Sequence, residues 1–493
     1  MATFNKKAKA ETTLNHEGAK AYALSPEMEL YILVVTSMFT DKFYEANDDR
    51  VSRLRALIVK TKPEFVAKLA IYAREKMYLR TMPLVLMVEL AKVHSGDNLV
   101  SQALARVVQR ADELTETLAY YAIANDRKDT KKLGKLSKQI KKGLAIAFNK
   151  FDEYQFGKYN RDGEITLKDA LFIVHPTPAN DQQAALFTKI VEDTLEIPFT
   201  WETELSAKGN KAEVWQGLVN SEKLPYMATL RNLRNMLDAN VDQHDLATVA
   251  EMISDTYQVR KSKQLPFRYL SAYRELKGNT SPCTSMILDS LETAIQKSAE
   301  NIKGFGFDTV VAIGCDVSGS MQTTISPKSK IQNYDIGLLL GMLLQSRCKS
   351  VVSGMFGDTF KIINLPKTSI LQNVDELHHR EGEVGYSTNG HEVLKTLEKK
   401  EIKADKVMMF TDNQMWNSYG TSDTMQKAWT SYKKFYPAAK LYLFDLAGYG
   451  TTPVSLVGSD VYLIAGWSDK VFDVMDAYDK GDSAIKHIDE ISL

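Results

Sequence analysis

At 493 residues the chain is long enough for two or more domains, each with its own core. A hydrophobic content of 44% with 25% charged residues is that of ordinary globular protein and excludes a collagen-like or wholly disordered chain. Basic and acidic residues balance at 62 each, so there is no global electrostatic argument for a nucleic-acid partner, although the first 300 residues carry a small basic excess. Cys283, Cys315 and Cys348 make no disulfide framework and fit a reducing compartment. The first residues, with Lys6, Lys7, Lys9 and Glu11, lack the apolar core of a signal peptide, and the run Leu30 to Phe39 is too short to cross a bilayer. A soluble, cytoplasmic protein without membrane contact is the expectation.

From about residue 25 to 300 amphipathic helical patterns follow one another. They run over Pro26–Met38, Val51–Thr61, Pro63–Lys76, Pro83–Val93, Leu99–Arg106, Asp112–Asn125 and Thr130–Lys150, then Leu167–Ile173, Asp181–Leu195, Ala212–Leu218, Met227–Asp238, Asp245–Ser254 and Met286–Lys303. Pro26, Pro63 and Pro83 suit first helical turns. Helices of this length with short joints predict stacked pairs in a HEAT-like solenoid, though no strict repeat period is visible.

One segment of that region stands apart in charge. Between Arg127 and Lys142 lie eight basic residues and a single acid, Asp129. On one helix, Lys131, Lys135, Lys138 and Lys142 would share a face, opposite Leu133, Leu136, Ile140, Leu144 and Ala147. A solvated helix face is the plain reading. A lysine column repels itself, however, and a phosphate backbone would relieve that repulsion.

Lys158 to Asp169 has the outline of a calcium loop, with Asn160, Asp162, Gly163 and Ile165 at fitting offsets. A cation at the first ligand position and Asp in place of the bidentate Glu at the last argue against it. The same stretch, Lys158-Tyr-Asn-Arg161-Asp-Gly163, continues into Lys168-Asp169-Ala-Leu171 and His175-Pro176. With Met82-Pro83-Leu84, Val214-Trp215, Leu224-Pro225-Tyr226 through Leu233, and Leu265-Pro266-Phe267-Arg268-Tyr269, it resembles the TROVE module of the Ro autoantigen family. Glu164-Ile165-Thr166 depart from that family, which usually has an aromatic and a His after the glycine.

The resemblance implies a ring of helical repeats with a basic central hole. Single-stranded 3′ ends of structured or misfolded RNAs would enter that hole, and small Y RNAs would bind outside. Candidate RNA contacts are Lys131, Lys135, Lys138, Lys142, Lys158, Arg161 and His175, with Arg231, Arg234 and Arg268 second in rank. Lys and Arg neutralise phosphate, Tyr159 could stack a base, and His175 could donate to phosphate or 2′-OH. Each has a plainer reading: His175 as a helix cap, Tyr159 and Trp215 as core, Arg231 as a tie between helices.

Beyond residue 305 the pattern becomes alternating strands and helices. Strands are predicted at Thr309–Cys315, Ser350–Phe356, Thr359–Leu365, Lys406–Thr411, Lys440–Leu446 and Asp460–Ile464. Helices are predicted at Ile331–Ser346, His391–Lys400, Thr424–Tyr436 and Lys470–Asp479, which together make a doubly wound, mostly parallel sheet. Asp316-Val-Ser318-Gly-Ser320 follows the first strand, where open α/β sheets place their sites. One carboxylate with two hydroxyls is a hard-oxygen set suited to Mg²⁺. The motif matches the metal-ion-dependent adhesion site of von Willebrand factor A domains. That resemblance implies Thr388, within Gly385-Tyr-Ser-Thr388, and Asp412, after a buried strand, as further members. Ser318, Ser320 and Thr388 would bind directly, Asp316 and Asp412 through water, with one position open to a partner's carboxylate.

The fold class expected is therefore α plus α/β: a TROVE helical domain over 16–304 and a von Willebrand factor A-like domain over 305–493. No nucleophile, P-loop or zinc motif is present, and His378-His379 reads as a lone pair on a polar loop. The expectation is a monomeric, non-enzymatic RNA scaffold that holds one Mg²⁺ and docks a protein such as an RNA-processing nuclease. A metal-dependent interaction module without RNA function and a metal-dependent phosphoesterase are the alternatives.

Overall fold

The computed structural model describes residues 10–36, 49–127, 136–221, 223–299, 308–325, 329–420, 423–458, 460–466, 471–479 and 484–493. The chain divides into two compact units, one of residues 1–36 with 210–484, the other of 37–209 with 485–493. The division crosses the boundary expected at 304/305, because helices between residues 210 and 300 pack against helices of the region that carries the sheet.

The unit of 37–209 is helical. Pro63–Glu75 packs on Thr81–Val93 and Leu99–Val107, and Leu99–Val107 packs on Lys138–Phe148. Pro63 sits at the first helical position, where a missing N–H costs nothing. The core holds a charged cluster. Glu113 is buried and binds Arg74 at 2.7 Å, with Arg80 at 3.4 Å, and accepts the N–H groups of Gln109 (2.8 Å) and Arg110 (3.1 Å). Glu89 similarly accepts from Tyr120 (2.6 Å) and Arg55 (3.0 Å).

The predicted helix over Thr130–Lys150 is shorter in fact. It begins at Lys138, after a non-helical Leu136-Ser137, and Lys131 and Lys135 lie outside the described residues. Ser137 takes a non-helical backbone (φ −51°, ψ 131°), so the helix starts after it. The opposite apolar face holds, with Ile140, Leu144 and Ala147 fully buried.

The other unit centres on a six-stranded sheet in the order β5-β4-β3-β6-β7-β9. Its strands are β3 Val310–Asp316, β4 Ser350–Phe356, β5 Phe360–Ile362, β6 Lys406–Thr411, β7 Lys440–Asp445 and β9 Val461–Ala465. All neighbours are parallel except β4 and β5. Near-continuous apolar runs form these strands because most of their residues are covered on both faces. The helix Asn333–Arg347 is buried almost all round and packs on β3, β4 and β6. A second, three-stranded sheet was not predicted: β1 Thr12–Leu14 and β2 Lys20–Ala23 form an antiparallel hairpin, and β2 pairs with β8 Thr451–Thr452.

Helices preceding the sheet are tied to it by charge. Arg274 on Pro266–Leu276 grips buried Asp335 with two hydrogen bonds of 2.9 and 2.7 Å. Glu292 on Thr284–Ser298 accepts the N–H groups of Ile370 and Leu371, closing the start of the helix Ile370–His378. His378 ends that helix and bonds Asp335 at 2.8 Å, so it is not on a loop as expected but part of this junction.

Candidate functional site

The strand order reverses between β3 and β6, and the loops after these two strands carry the Asp-Ser-Ser motif and Asp412. Asp316 ends β3 fully buried. Its Oδ1 accepts the Ser318 N–H at 3.0 Å and its Oδ2 accepts the Thr411 hydroxyl at 2.6 Å. The Ser318 and Ser320 hydroxyls lie 3.3 Å apart. Asp412 is also buried; its Oδ1 accepts the Gln414 N–H at 2.9 Å, while its Oδ2 has no hydrogen-bond partner among the described residues.

Backbone bonds stitch a third loop to these two. Gly319 N–H donates to the Tyr386 carbonyl (3.0 Å), Asn389 N–H to Gly357 (3.0 Å) and Trp416 N–H to Thr388 (3.3 Å). Gly385 makes this loop possible: its φ is +75°, and a Cβ there would strike the Asp358 side chain at 2.3 Å. Thr388 thus reaches the same place as the Asp-Ser-Ser loop. An open cleft of about 460 Å³ results, lined among others by Ser320, Asp358, Tyr386, Thr388 and Trp416.

Buried carboxylates at the ends of the same strands carry unusual electrostatics. Burial, and next the charge of Asp412, raises the Asp316 pKa; burial likewise raises that of Asp412. Asp445, which ends β7, was not singled out in the sequence and is pushed up to about 6, again chiefly by burial. The signal for it was available, since an Asp closes an otherwise apolar strand there as it does at Asp316. No Lys or Arg pairs with any of the three among the described residues. Nor, among those residues, does any group of three or more His, Cys, Asp or Glu have the arrangement to hold a metal. The donors that fit a hard cation are instead two carboxylates with the hydroxyls of Ser318, Ser320 and Thr388, and the orphaned Asp412 Oδ2 is the atom that fit would satisfy.

The basic candidates of this unit are scattered over several helices and loops. Lys138 and Lys142 are exposed one turn apart, and Lys142 donates to Asn98 Oδ1 at 2.8 Å. Lys158 lies over the rings of Tyr154 (5.8 Å) and Tyr159 (5.7 Å), and the Arg110 guanidinium covers Tyr159 at 4.5 Å. Arg161 is exposed, with Glu202 3.9 Å away. His175 is exposed in the left-handed region (φ 51°) and its N–H donates to Leu171, so it terminates a helix as its plainer reading held. Asp169, last residue of the calcium-like loop, closes a capping box with Thr166.

In the other unit, Arg234 is committed to Glu275 at 2.6 Å and so joins two helices. Arg231 and Arg268 are exposed neighbours without a carboxylate partner among the described residues. Desolvation, and next the Arg231 charge, pulls the Arg268 guanidinium below its usual pKa. Two uncompensated guanidinium groups side by side favour an anion. Trp215 is core, its Nε1 donating to Asn210 at 2.6 Å.

Comparison with known proteins decides the family. The TROVE domain model matches residues 39–196 and 193–303, more than half of the chain. The chain belongs to the TROVE domain family. Its fold is similar to that of the Ro (RSR) protein of Deinococcus radiodurans. The TM-score is 0.60 at 18% identity, over 93% of this chain and all of that one. Among curated TROVE relatives, it is 26% identical to telomerase protein component 1 of Rattus norvegicus over 43% of this chain, and 25% identical to that of Mus musculus over 48%. The match spans only 11% and 12% of those much longer proteins. No described helix is long and apolar enough to cross a membrane.

Proposed function

We propose that this chain is a non-coding-RNA-binding scaffold of the Ro type. It takes single-stranded 3′ ends of structured or misfolded RNAs into a basic ring of HEAT-like helical repeats and Y-like RNAs on its outer surface. The observation that carries the reading is the TROVE match over 39–303. Lys131, Lys135, Lys138, Lys142, Lys158, Arg161 and His175 are the proposed contacts, with Arg231 and Arg268 strengthened by their missing counter-charges and Arg234 weakened by its ion pair. Isolating the protein with its bound RNA and sequencing that RNA tests the proposal. Recovery of 3′-tailed structured RNAs supports it, and absence of RNA from the isolated protein rejects it.

The domains proposed are a TROVE module over 16–304 and a von Willebrand factor A-like domain over 305–493. The second holds one divalent cation, Mg²⁺, at Asp316, Ser318, Ser320, Thr388 and Asp412. Such a cation supplies an electrophilic point at which a carboxylate can dock. The chain's own residues orient it, since the Ser318 N–H and Thr411 hydroxyl hold Asp316, and three backbone bonds fix the loops. The role is docking rather than catalysis, since a general base aimed at a substrate is not among the residues assigned to it. The scaffold is read as a cytoplasmic monomer whose protein partner, such as a processing nuclease, presents the acidic group. An interaction module without RNA function is the second reading; the oxygen-lined cleft and the buried carboxylates of the same loops favour it, and intact RNA affinity after Asp316→Ala with loss of protein capture separates the two roles.

A further inference from the structure

The turn between β1 and β2 carries a carboxylate to the mouth of the acidic cleft. Asn15 is buried and organises that turn: its Oδ1 accepts the N–H groups of Glu17 (3.1 Å) and Ala19 (2.9 Å), and its Nδ2 donates to the Met415 carbonyl (2.9 Å). Next to it, the His16 N–H donates to Gln414 Oε1 at 2.8 Å, and Gln414 N–H in turn holds Asp412 Oδ1. Pairing of β2 with β8 anchors the hairpin a second time. Gly18, at φ +72°, lets the chain reverse just past Glu17.

Glu17 is exposed, has no ion pair among the described residues, and lines the same cleft as Ser320 and Thr388. Asn15 and Gly18 suffice for the turn, so nothing in the local fold calls for an acid at position 17. A further anion beside buried carboxylates raises the electrostatic cost of the cation-free cleft. A divalent cation reverses that sign, and Mg²⁺ accepts one or two carboxylates while keeping some of its waters.

We propose that Glu17 is a ligand supplied by the chain itself to the divalent cation held directly by Ser318, Ser320 and Thr388 and through water by Asp316 and Asp412, occupying the coordination position at the cleft mouth. The proposal rests on the metal reading above. It makes the hairpin a latch: an outside carboxylate reaches the cation only by displacing Glu17, so partner affinity is set by the difference between two carboxylates competing for one position.

The test uses the full chain and Mn²⁺ alone, with free Mn²⁺ followed by its electron paramagnetic resonance signal. Glu17→Gln should weaken Mn²⁺ binding roughly tenfold while leaving the melting temperature in chelator no lower than that of the wild type. Ser320→Ala with Thr388→Ala should abolish binding. Amide exchange over residues 12–23 should slow when Mn²⁺ is added to the wild type and stay unchanged in Glu17→Gln. Equal Mn²⁺ affinity in wild type and Glu17→Gln overturns the latch and leaves the metal site standing. A wild type that binds no Mn²⁺, or binding that survives the double substitution, overturns the metal reading and the latch together.

Discussion

Two groups of buried carboxylates, one in each unit, differ in how their charge is met. Glu113 sits among two arginines and two backbone N–H groups, so the protein itself completes its environment. Asp316, Asp412 and Asp445 are equally buried but face hydroxyls, amides and one another, and burial drives their pKa values up. Charge compensated from within marks a structural element. Charge left uncompensated at a sheet's carboxyl end is what the proposed cation would meet, because an ionised carboxylate in a dry site is otherwise costly. Arg231 and Arg268 are the reverse case, cations without a carboxylate partner among the described residues, with the Arg231 charge lowering the Arg268 pKa after desolvation.

Glu113→Gln should have the largest effect. It strips the buried Arg74 of its counter-charge and should cost about 3–5 kcal/mol, read as a fall in the urea midpoint of the helical unit. A loss below about 1 kcal/mol would put that cluster in the class of surface pairs.

The acidic cleft should behave oppositely, gaining from an added ion. A carboxylate whose folded pKa is raised contributes stability below its unfolded pKa and loses it as pH rises through the folded value. In chelator the protein should therefore be less stable at pH 8 than at pH 5. Mg²⁺ should restore about 2–3 kcal/mol at pH 8 when well above its dissociation constant, and much less at pH 5. A thermal shift on adding Mg²⁺ that is the same at both pH values contradicts this account of Asp316 and Asp412.

On the basic surfaces, Lys138→Glu with Lys142→Glu should lower affinity for a 3′-tailed RNA roughly tenfold. It should also make the slope of log affinity against log salt shallower by about 1–2. Fluorescence anisotropy across a salt series measures both, and an unchanged slope removes these lysines from the interface. Smallest of all, Arg234→Ala should change RNA affinity little and stability by less than about 1 kcal/mol, since its partner Glu275 lies at the surface. A loss of RNA binding as large as that of the lysine pair would place Arg234 with Arg231 and Arg268.

Much of this was legible in the residue order. Strands β3, β4, β6 and β7 are short apolar runs, and the sharp change from a helical to an alternating pattern near residue 305 is local information. Asp316, Ser318 and Ser320 could be found together because they are contiguous, and a buried run before them fixes where they point. The lysine column illustrates the opposite. Periodicity extended it through Leu136 and Ser137, where the backbone leaves the helix, and spacing alone does not register such a break.

Sequence alone thus determined the family motifs, the order of helical and sheet-forming regions, and the oxygen-rich loop after the first buried strand. Those properties depend on neighbours within a few residues, through side-chain periodicity and turn chemistry. Only the tertiary structure decided that Arg234 is spent on Glu275, that the Asp412 charge bears on buried Asp445, and that a hairpin near residue 17 reaches the loop at 412–416. Each joins residues far apart in the chain, and burial and charge compensation are set by that packing rather than by local order.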